Sequence, residues 1–138
     1  MQWLMKTEPE EFSWDTLVER GPSCWDGVRN VEARNNLRRM SEGDAVFIYH
    51  TGKEKAVVGI AEVVKTAYRD PSADKAIWSA VDVKAVSKLS RPVTLAELKA
   101  IAEFSASPLV KKPRLSVMPM TDTEWAKVME MSQVGVAE

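Results

Sequence analysis

The sequence predicts an α+β domain in which helices surround a mixed, largely antiparallel β-sheet of about five to six strands. Two observations carry this prediction. Short runs rich in Val and Ile follow one another in the middle of the chain, with brief polar turns between them. Capping signals and an amphipathic stretch mark helices on either side of these runs. A small twisted β-barrel closed by helices satisfies this order of elements.

The start of the chain predicts a strand followed by a short helix. Residues 2–6 form a short mixed run that fits an opening strand. Ser13 is placed to cap a helix that runs to about Arg20, with Leu17 and Val18 facing inward. A Gly-Pro pair then breaks this helix.

A second helix is predicted after a turn at residues 25–30. Asn30 is placed to cap this helix, which runs to about Met40. Ala33, Leu37 and Met40 follow the i, i+4, i+7 spacing, which gives the helix one apolar face toward the core. A polar turn then leads into the central strands.

The middle of the chain predicts a β-hairpin and a third long strand. Residues 45–50 and 56–64 are apolar runs, and the polar loop 51–55 joins them. A longer loop is expected over residues 67–74. Residues 76–86 then alternate in polarity, as a strand with one buried face does.

The last third predicts two helices separated by a short strand. Residues 94–102 and 121–131 each open with Thr-x-x-Glu, the capping-box signature of a helix start. Between them, residues 105–112 are irregular or form a short helical turn, and residues 114–117 are a short strand. Residues 134–138 are expected to form a flexible tail.

Length and composition fit one domain, which is expected to span residues 1–133. The chain has 138 residues, of which 45% are apolar and 28% are charged. Its 19 basic and 20 acidic residues give a net charge of −1, which argues against nucleic-acid binding by bulk charge. With one cysteine, Cys24, and one histidine, His50, neither a disulfide within the chain nor a structural metal site is expected. No cofactor is predicted.

The sequence also bears on cellular location. No run of 18 apolar residues occurs, so no membrane partner is expected. The opening residues lack the basic and apolar regions of a secretory signal. We therefore expect a cytoplasmic protein, or a nuclear one if the source is eukaryotic.

The stretch that begins with Trp25 is the most informative for function. Trp25 suits stacking on a flat ligand, which for a nucleobase is worth roughly 1–3 kcal/mol. Asp26 and Asn30 offer acceptors and donors to the edge of a base. Arg29 and Arg34 offer planar forks of donors that suit phosphate or a base edge. The alternatives are that Trp25 covers the core and that Asn30 only caps the helix.

Evidence for catalysis is weaker. The sequence contains no nucleophile elbow, P-loop or zinc-protease signature. Tyr49 and His50 end an apolar strand, where a lone histidine is more often a packing residue than a catalyst. One alternative is an enzyme that acts on a modified base or nucleoside, with His50 or Asp70 as the acid–base group. Another is a small protein-interaction domain that presents its Trp residues to a partner.

These motifs resemble those of the EVE domain family, of the thymocyte nuclear protein type. The matching stretches are WLMKTEP at 3–9, WDGVRN at 25–30, ARNNLR at 33–38, GD at 43–44 leading to YH at 49–50, VGIAEVV at 58–64, AYRDP at 67–71, RLSV at 114–117 and EW at 124–125. They span nearly the whole chain in the order of the family. The resemblance implies a PUA-like barrel, in agreement with the predicted sheet and helices.

The resemblance implies a non-catalytic reader with a pocket for a modified nucleobase, methylation being the favoured modification, flipped out of DNA or RNA. The partner would be nucleic acid, and an effector protein is a further candidate partner, because many relatives are fused to or encoded beside effectors. The choice between DNA and RNA and the oligomeric state stay open. The predicted ligand-binding residues are Lys6, Trp25, Asp26, Val28, Arg29, Asn30, Arg34, Tyr49, His50, Arg114, Leu115 and Ser116.

Overall fold

A computed structural model describes residues 1–133, which contain six strands and five α-helices. The strands are β1 (Gln2–Thr7), β2 (Ser23–Trp25), β3 (Ala45–His50), β4 (Ala56–Arg69), β5 (Ser79–Thr94) and β6 (Val117–Met120). The helices are α1 (Trp14–Arg20), α2 (Val31–Arg39), α3 (Leu95–Lys99), α4 (Pro108–Lys111) and α5 (Asp122–Gln133), with a 3-10 turn at Ala102–Phe104. The tail predicted at residues 134–138 lies outside the described residues.

The six strands form one sheet in the order β2-β5-β4-β3-β1-β6. Strands β1 and β3 pair in parallel, and every other neighbouring pair is antiparallel. The prediction of a mixed, largely antiparallel sheet with helices is therefore confirmed. Barrel closure is not, because the pairing of the described strands leaves β2 and β6 as edges.

The hairpin of β4 and β5 is longer than the sequence predicts. The expected loop at 67–74 is wrong over residues 67–69, because β4 continues to Arg69, which pairs with Ser79. Strand β5 continues to Thr94 instead of ending near residue 86, although the alternation of polarity fades where Val86 is exposed. Pairing with β4, which includes register shifts, supports this part of β5, and Leu89 and Val93 anchor it in the core.

Helices α1 and α2 begin where the sequence places them. The side chain of Ser13 accepts a hydrogen bond from the Thr16 N–H, which caps α1. Leu17 is buried as predicted, but Val18 is 54% exposed, so its inward orientation was wrong. Trp14 and Leu17, three residues apart, define the buried face, and the next position turns toward solvent.

Helix α2 has the predicted cap and the predicted apolar face. The side-chain oxygen of Asn30 accepts the Ala33 N–H at 2.9 Å. Ala33, Leu37 and Met40 are all buried. None of the helices within residues 1–133 is long and apolar enough to cross a membrane.

Both predicted capping boxes are present at their helix starts. Thr94 and Glu97 exchange hydrogen bonds at the start of α3. Thr121 and Glu124 do the same before α5. Helix α3 ends at Lys99 instead of the predicted residue 102, and the 3-10 turn follows it.

Two short strands depend on their partners more than on their own sequence. Strand β2 lies where the sequence predicts a break and a turn, and its three residues pair with β5. The last strand, predicted at residues 114–117, is instead Val117–Met120. It pairs with β1 at an edge of the sheet, where Pro119, which has no N–H to donate, is tolerated.

Candidate functional site

A cavity of about 540 Å³ lies where the end of β1 faces the segment between β2 and α2. The lining comprises residues 24–30, Lys6, Thr7, Glu8, Glu11, Phe12 and Ser116. The parallel pairing of β1 and β3 places Thr7 beside His50, so both strands end at the same border of the sheet. The cavity therefore draws on segments that are far apart in sequence.

An aromatic pair forms the apolar wall of the cavity. The rings of Phe12 and Trp25 meet edge to face, with centroids 5.7 Å apart and planes at 74°. Trp25 is only 7% exposed, because β2 packs it into the core while one part of it lines the cavity. It therefore covers the core, the alternative raised by the sequence, and also contributes to the cavity. Phe12, which sequence reasoning missed, directly precedes the Ser13 cap of α1.

A buried carboxylate outside the cavity holds the turn that follows Trp25. One oxygen of Asp70 accepts the Gly27 N–H at 2.8 Å and Nη1 of Arg29 at 2.9 Å. The other oxygen accepts the N–H and the hydroxyl of Ser72, at 2.7 and 2.6 Å. Gly27 has a φ of +80°, which glycine adopts readily. The side chain of Asp70 is fully buried, so this group fixes the cavity wall without lining the cavity.

The hydrogen bonds at Asp70 determine its protonation state. Burial acts to raise the pKa of Asp70, but the Ser72 hydroxyl, the Arg29 guanidinium and two backbone N–H groups lower the pKa to about 2. Asp70 is therefore ionised at neutral pH. It is a fixed acceptor for the turn and not a proton donor.

Polar groups of the cavity wall remain available to a ligand. Asn30 uses its side-chain oxygen to cap α2, and within the described residues its Nδ2 group has no protein partner. Asp26 is exposed at the cavity. Cys24 is half-buried, and burial and nearby carboxylates raise the pKa of its thiol, while a hydrogen bond with Tyr68 acts in the opposite direction. The thiol is therefore a neutral group in the lining.

Lys6 connects the end of β1 to the segment before β6. Its Nζ donates to the carbonyl oxygen of Pro113 at 2.9 Å and lies 5.6 Å from the centroid of the Tyr49 ring. The Lys6 N–H donates to the carbonyl oxygen of Ser116 at 2.8 Å, which brings Ser116 to the cavity. Burial lowers the pKa of Lys6 from its ordinary value.

Seven of the twelve predicted ligand-binding residues line the cavity. They are Lys6, Trp25, Asp26, Val28, Arg29, Asn30 and Ser116. The other five do not line it. Arg34 extends toward the β4–β5 loop, where it donates to the Ile77 carbonyl oxygen at 3.3 Å and lies 5.8 Å from the centroid of the Trp78 ring. Leu115 is buried, and Arg114 is exposed outside the cavity.

Tyr49 and His50 are buried at the end of β3 and do not line the cavity. Tyr49 is buried, and burial raises its pKa to about 12. Nε2 of His50 accepts the Trp14 N–H at 3.0 Å, so the ring proton lies on Nδ1, which contacts Glu54 Oε1 at 2.7 Å. Both ring nitrogens of His50 are therefore engaged in protein contacts.

The predicted ligand-binding set omits six residues that line the cavity: Thr7, Glu8, Glu11, Phe12, Cys24 and Gly27. Thr7 and Glu8 follow the first predicted strand, and Phe12 precedes the first predicted cap. The sequence feature that could have identified them is their position at the end of a predicted strand or the start of a predicted helix, because loops at such positions often carry functional groups. These segments come together in part because β1 and β3 pair in parallel, and the local sequence pattern does not specify that pairing.

Comparison with known proteins places the chain in a family. The EVE domain family model matches residues 1–131. Human thymocyte nuclear protein 1 is 35% identical over 165 aligned positions, which cover 95% of this chain and 73% of that protein. The crystal structure of protein Atu2648 from Agrobacterium tumefaciens superimposes with a TM-score of 0.93 at 38% identity, covering 99% of this chain and 95% of that one.

A further solved structure is that of human THYN1 protein in complex with 5-methylcytosine-containing DNA. It superimposes with a TM-score of 0.90 at 35% identity, covering 96% of this chain and 97% of that one. The family model and these relatives extend over almost the whole of the fold described above. The chain therefore belongs to the EVE domain family.

Proposed function

We propose that this chain binds nucleic acid carrying a modified base and reads that base in the cavity without catalysing a reaction. The observation that carries the proposal is that every residue from 25 to 30 lines one cavity of about 540 Å³. Ligand pockets usually measure roughly 300–1,000 Å³ and combine apolar walls with a few polar groups. Because a related protein was crystallised with 5-methylcytosine-containing DNA, 5-methylcytosine is the first base to test.

The cavity wall supplies a physical basis for reading a flipped base. Leaving the base stack costs a few kcal/mol, less in a single strand than in a duplex. Contact with Trp25 and Phe12 offsets part of that cost. The carboxylate of Asp26 can accept a hydrogen bond from an exocyclic amino group, and Asn30 can donate to a ring acceptor. Val28 offers an apolar contact to a methyl group.

The geometry weighs against the enzyme alternative. An acid–base residue must reach the reacting atoms. His50 lies outside the cavity lining and has both ring nitrogens engaged by Trp14 and Glu54. Asp70 is buried, accepts four hydrogen bonds and has a pKa of about 2, which suits neither proton donation nor proton uptake near neutral pH.

The tryptophans also give little support to a protein-interaction surface. Trp3, Trp14 and Trp25 are buried. Trp125 stacks on Phe47 with centroids 3.6 Å apart. Trp78 is partly exposed, and the guanidinium groups of Arg29 and Arg34 each lie 5.8 Å from the centroid of its ring. Interface anchors are usually large side chains that a partner can bury, and these five are already packed within the domain.

The proposal is tested with single-stranded oligonucleotides that differ at one position. Three DNA probes carry 5-methylcytosine, cytosine or thymine there, and matched RNA probes carry 5-methylcytosine or cytosine. The cytosine comparison isolates the methyl group, and the thymine comparison keeps the methyl group but replaces the amino group by a carbonyl and the N3 acceptor by N3–H. We expect binding to 5-methylcytosine to be about 10- to 100-fold tighter than to cytosine, the range that one methyl group in an apolar recess provides. Equal affinity for all probes would contradict the proposal.

A variant links this selectivity to the cavity. Asp26→Ala removes the carboxylate that we assign to the amino group. It should lower the preference for 5-methylcytosine over thymine by about 5- to 100-fold, the range of one good base-edge contact. Its preference for 5-methylcytosine over cytosine should persist. The matched control is Asp15→Ala, which removes an exposed carboxylate from α1, outside this cavity.

A further inference from the structure

A second concavity, of about 410 Å³, lies between the tip of the β3–β4 hairpin and α3. Three lysines line it: Lys53, Lys55 and Lys99. The carbonyl oxygen of Lys55 accepts the Leu95 N–H at 2.8 Å, which ties the hairpin loop to the start of α3. Lys99 lies four residues after Leu95, on the same face of the helix. The lysines therefore come from two segments that a backbone hydrogen bond holds together.

None of these three lysines is held by an ion pair with another described residue. Within residues 1–133, no carboxylate lies within 4.0 Å of Nζ of Lys53, Lys55 or Lys99, whereas Lys84 and Lys112 each have an acidic partner. The concavity contains one carboxylate, Glu54, which is bound to His50 at 2.7 Å. Three cations thus share one concavity in a protein whose net charge is −1. Such a local excess of positive charge favours an anionic ligand.

The β3–β4 hairpin loop has an unusual backbone conformation at Lys55. Among the described residues, Lys55 is the one residue other than glycine that has a positive φ, which is +45°. Residues other than glycine rarely adopt this conformation, and strained positions of this kind concentrate at functional sites. The carbonyl oxygen of this same residue accepts the Leu95 N–H at the start of α3.

The hairpin loop also borders the 540 Å³ cavity that we propose holds the base, called the base cavity below. The Thr51 N–H donates to the carbonyl oxygen of Thr7 at 2.9 Å. A Cβ placed on Gly52 would lie 3.0 Å from Oε1 of Glu8. Thr7 and Glu8 belong to the lining of the base cavity, so the loop that carries Lys53 and Lys55 begins at its border. The start of the loop that carries two of the lysines is thus fixed beside the cavity lining, as one strand that contacts both would require.

We propose that Lys53, Lys55 and Lys99 bind backbone phosphates of the same nucleic-acid strand whose base occupies the cavity. Only the identity of the strand rests on the proposed function. A lysine ammonium contacts phosphate as a point charge and carries no sequence information. The lysines therefore set affinity and its salt dependence, and the base cavity sets selectivity.

The test is a triple variant, Lys53→Gln with Lys55→Gln and Lys99→Gln, compared with the wild-type chain. The matched control changes three exposed lysines of β4 and β5, Lys65, Lys84 and Lys88, to Gln. Both variants lose three positive charges, so they change the net charge equally. Their affinities for single-stranded probes with cytosine or 5-methylcytosine are measured at several salt concentrations, and thermal unfolding verifies that each variant is folded.

The slope of log K against log salt is the decisive quantity. Each phosphate contact with a single strand contributes a slope of about −0.7, so loss of three contacts should make the slope shallower by about 2. Affinity at low salt should fall at least about tenfold for both probes, which leaves their ratio unchanged. The control variant should keep a slope close to that of the wild type.

The outcomes separate this inference from the proposed function. Equal slopes for the triple variant and its control would overturn the phosphate assignment, even if the wild type prefers 5-methylcytosine. If the wild type binds both probes equally but the triple variant alone has a shallower slope, the phosphate assignment stands and the proposed base reading fails.

Discussion

At the residue scale, Asp70 illustrates how a residue outside the cavity controls its shape. Asp70→Asn preserves the size of the side chain but removes the charge, and an amide nitrogen cannot accept the bonds now made by one carboxylate oxygen. The amide nitrogen can face Ser72, whose hydroxyl can turn to accept from it, so one N–H is left unpaired at a cost of about 1–3 kcal/mol. We expect the free energy of unfolding to fall by about 2–3 kcal/mol, as measured by urea denaturation. Asp74→Asn, an exposed change in the same loop, is the control and should alter it by less than about 0.5 kcal/mol.

The lowered pKa of Asp70 predicts that the stability of the fold depends on pH. The pKa of Asp70 falls from an ordinary value of 3.8 to about 2 in the folded chain, so the folded state favours the carboxylate. This stabilisation is present above about pH 4 and is lost as the pH falls toward 2. At about 1.4 kcal/mol for each pKa unit, it amounts to on the order of 2 kcal/mol.

Comparison of the wild type with Asp70→Asn isolates the contribution of Asp70 to this pH dependence. Glu97, whose pKa is also lowered to about 2 by Arg91 and the Thr94 cap, titrates in the same window. Because Glu97 is present in both the wild type and Asp70→Asn, its contribution cancels in the difference between their unfolding free energies. That difference should shrink by on the order of 2 kcal/mol between pH 5 and pH 2. A difference that stays constant over this range would show that the carboxylate is not selectively stabilised by folding.

At the element scale, α1 is held against the sheet at a position where only glycine fits. A Cβ on Gly59 of β4 would lie 2.6–2.7 Å from three ring atoms of Trp14, closer than packed atoms approach. Trp14 is buried, so the ring cannot move into solvent without exposing apolar surface. Overpacking of this kind costs about 1–3 kcal/mol, and we expect Gly59→Ala to lower the free energy of unfolding by that amount.

A double-mutant cycle verifies the cause of that loss. Trp14→Phe shortens the ring that Gly59→Ala would contact, so the second change should cost less in the Trp14→Phe background than in the wild type. A coupling energy near zero would mean that the two positions do not interact, and the loss would then have to be assigned to the backbone of β4.

The helices show what a local pattern can predict. The starts of α1, α2, α3 and α5 were placed correctly because each depends on a cap or capping box within three residues of sequence. Strands β2 and β6 were missed or displaced. They are short, and their hydrogen-bonding partners, β5 and β1, are distant in sequence. A segment of three or four residues is too short for its polarity pattern to indicate which strand it pairs with.

In the candidate site, too, the residues that are close in sequence lie together as predicted, and several that distant contacts position do not. Residues from 25 to 30 line one cavity together because they are contiguous and share one turn. Arg34 and His50 were predicted to be near that turn but are held elsewhere by the Ile77 carbonyl and the Trp14 N–H, contacts that only the folded chain creates. Phe12 was missed for the complementary reason, since its place beside Trp25 is set by the packing of α1.

At the scale of the whole molecule, charge is close to balanced but unevenly placed. Lys6 and Arg29 line the base cavity together with Glu8, Glu11 and Asp26, whereas three lysines and one glutamate line the neighbouring concavity. Five phosphate contacts at most would follow from these residues. For a single strand, they limit the slope of log K against log salt to about −3.5. Affinity should therefore be sensitive to salt, although much less so than for a protein with a broad basic face.

Selectivity, in contrast, should not depend on salt. The two cytosine probes carry the same phosphates and differ by one uncharged methyl group, so counterion release is the same for both. Between about 50 and 200 mM salt we expect each Kd to weaken by one to two orders of magnitude, while their ratio stays within about twofold. Fluorescence anisotropy with both probes measures these quantities together. If the ratio fell toward one as salt rose, charge would be producing the selectivity, and the assignment of the methyl group to Val28 and the aromatic wall would be wrong.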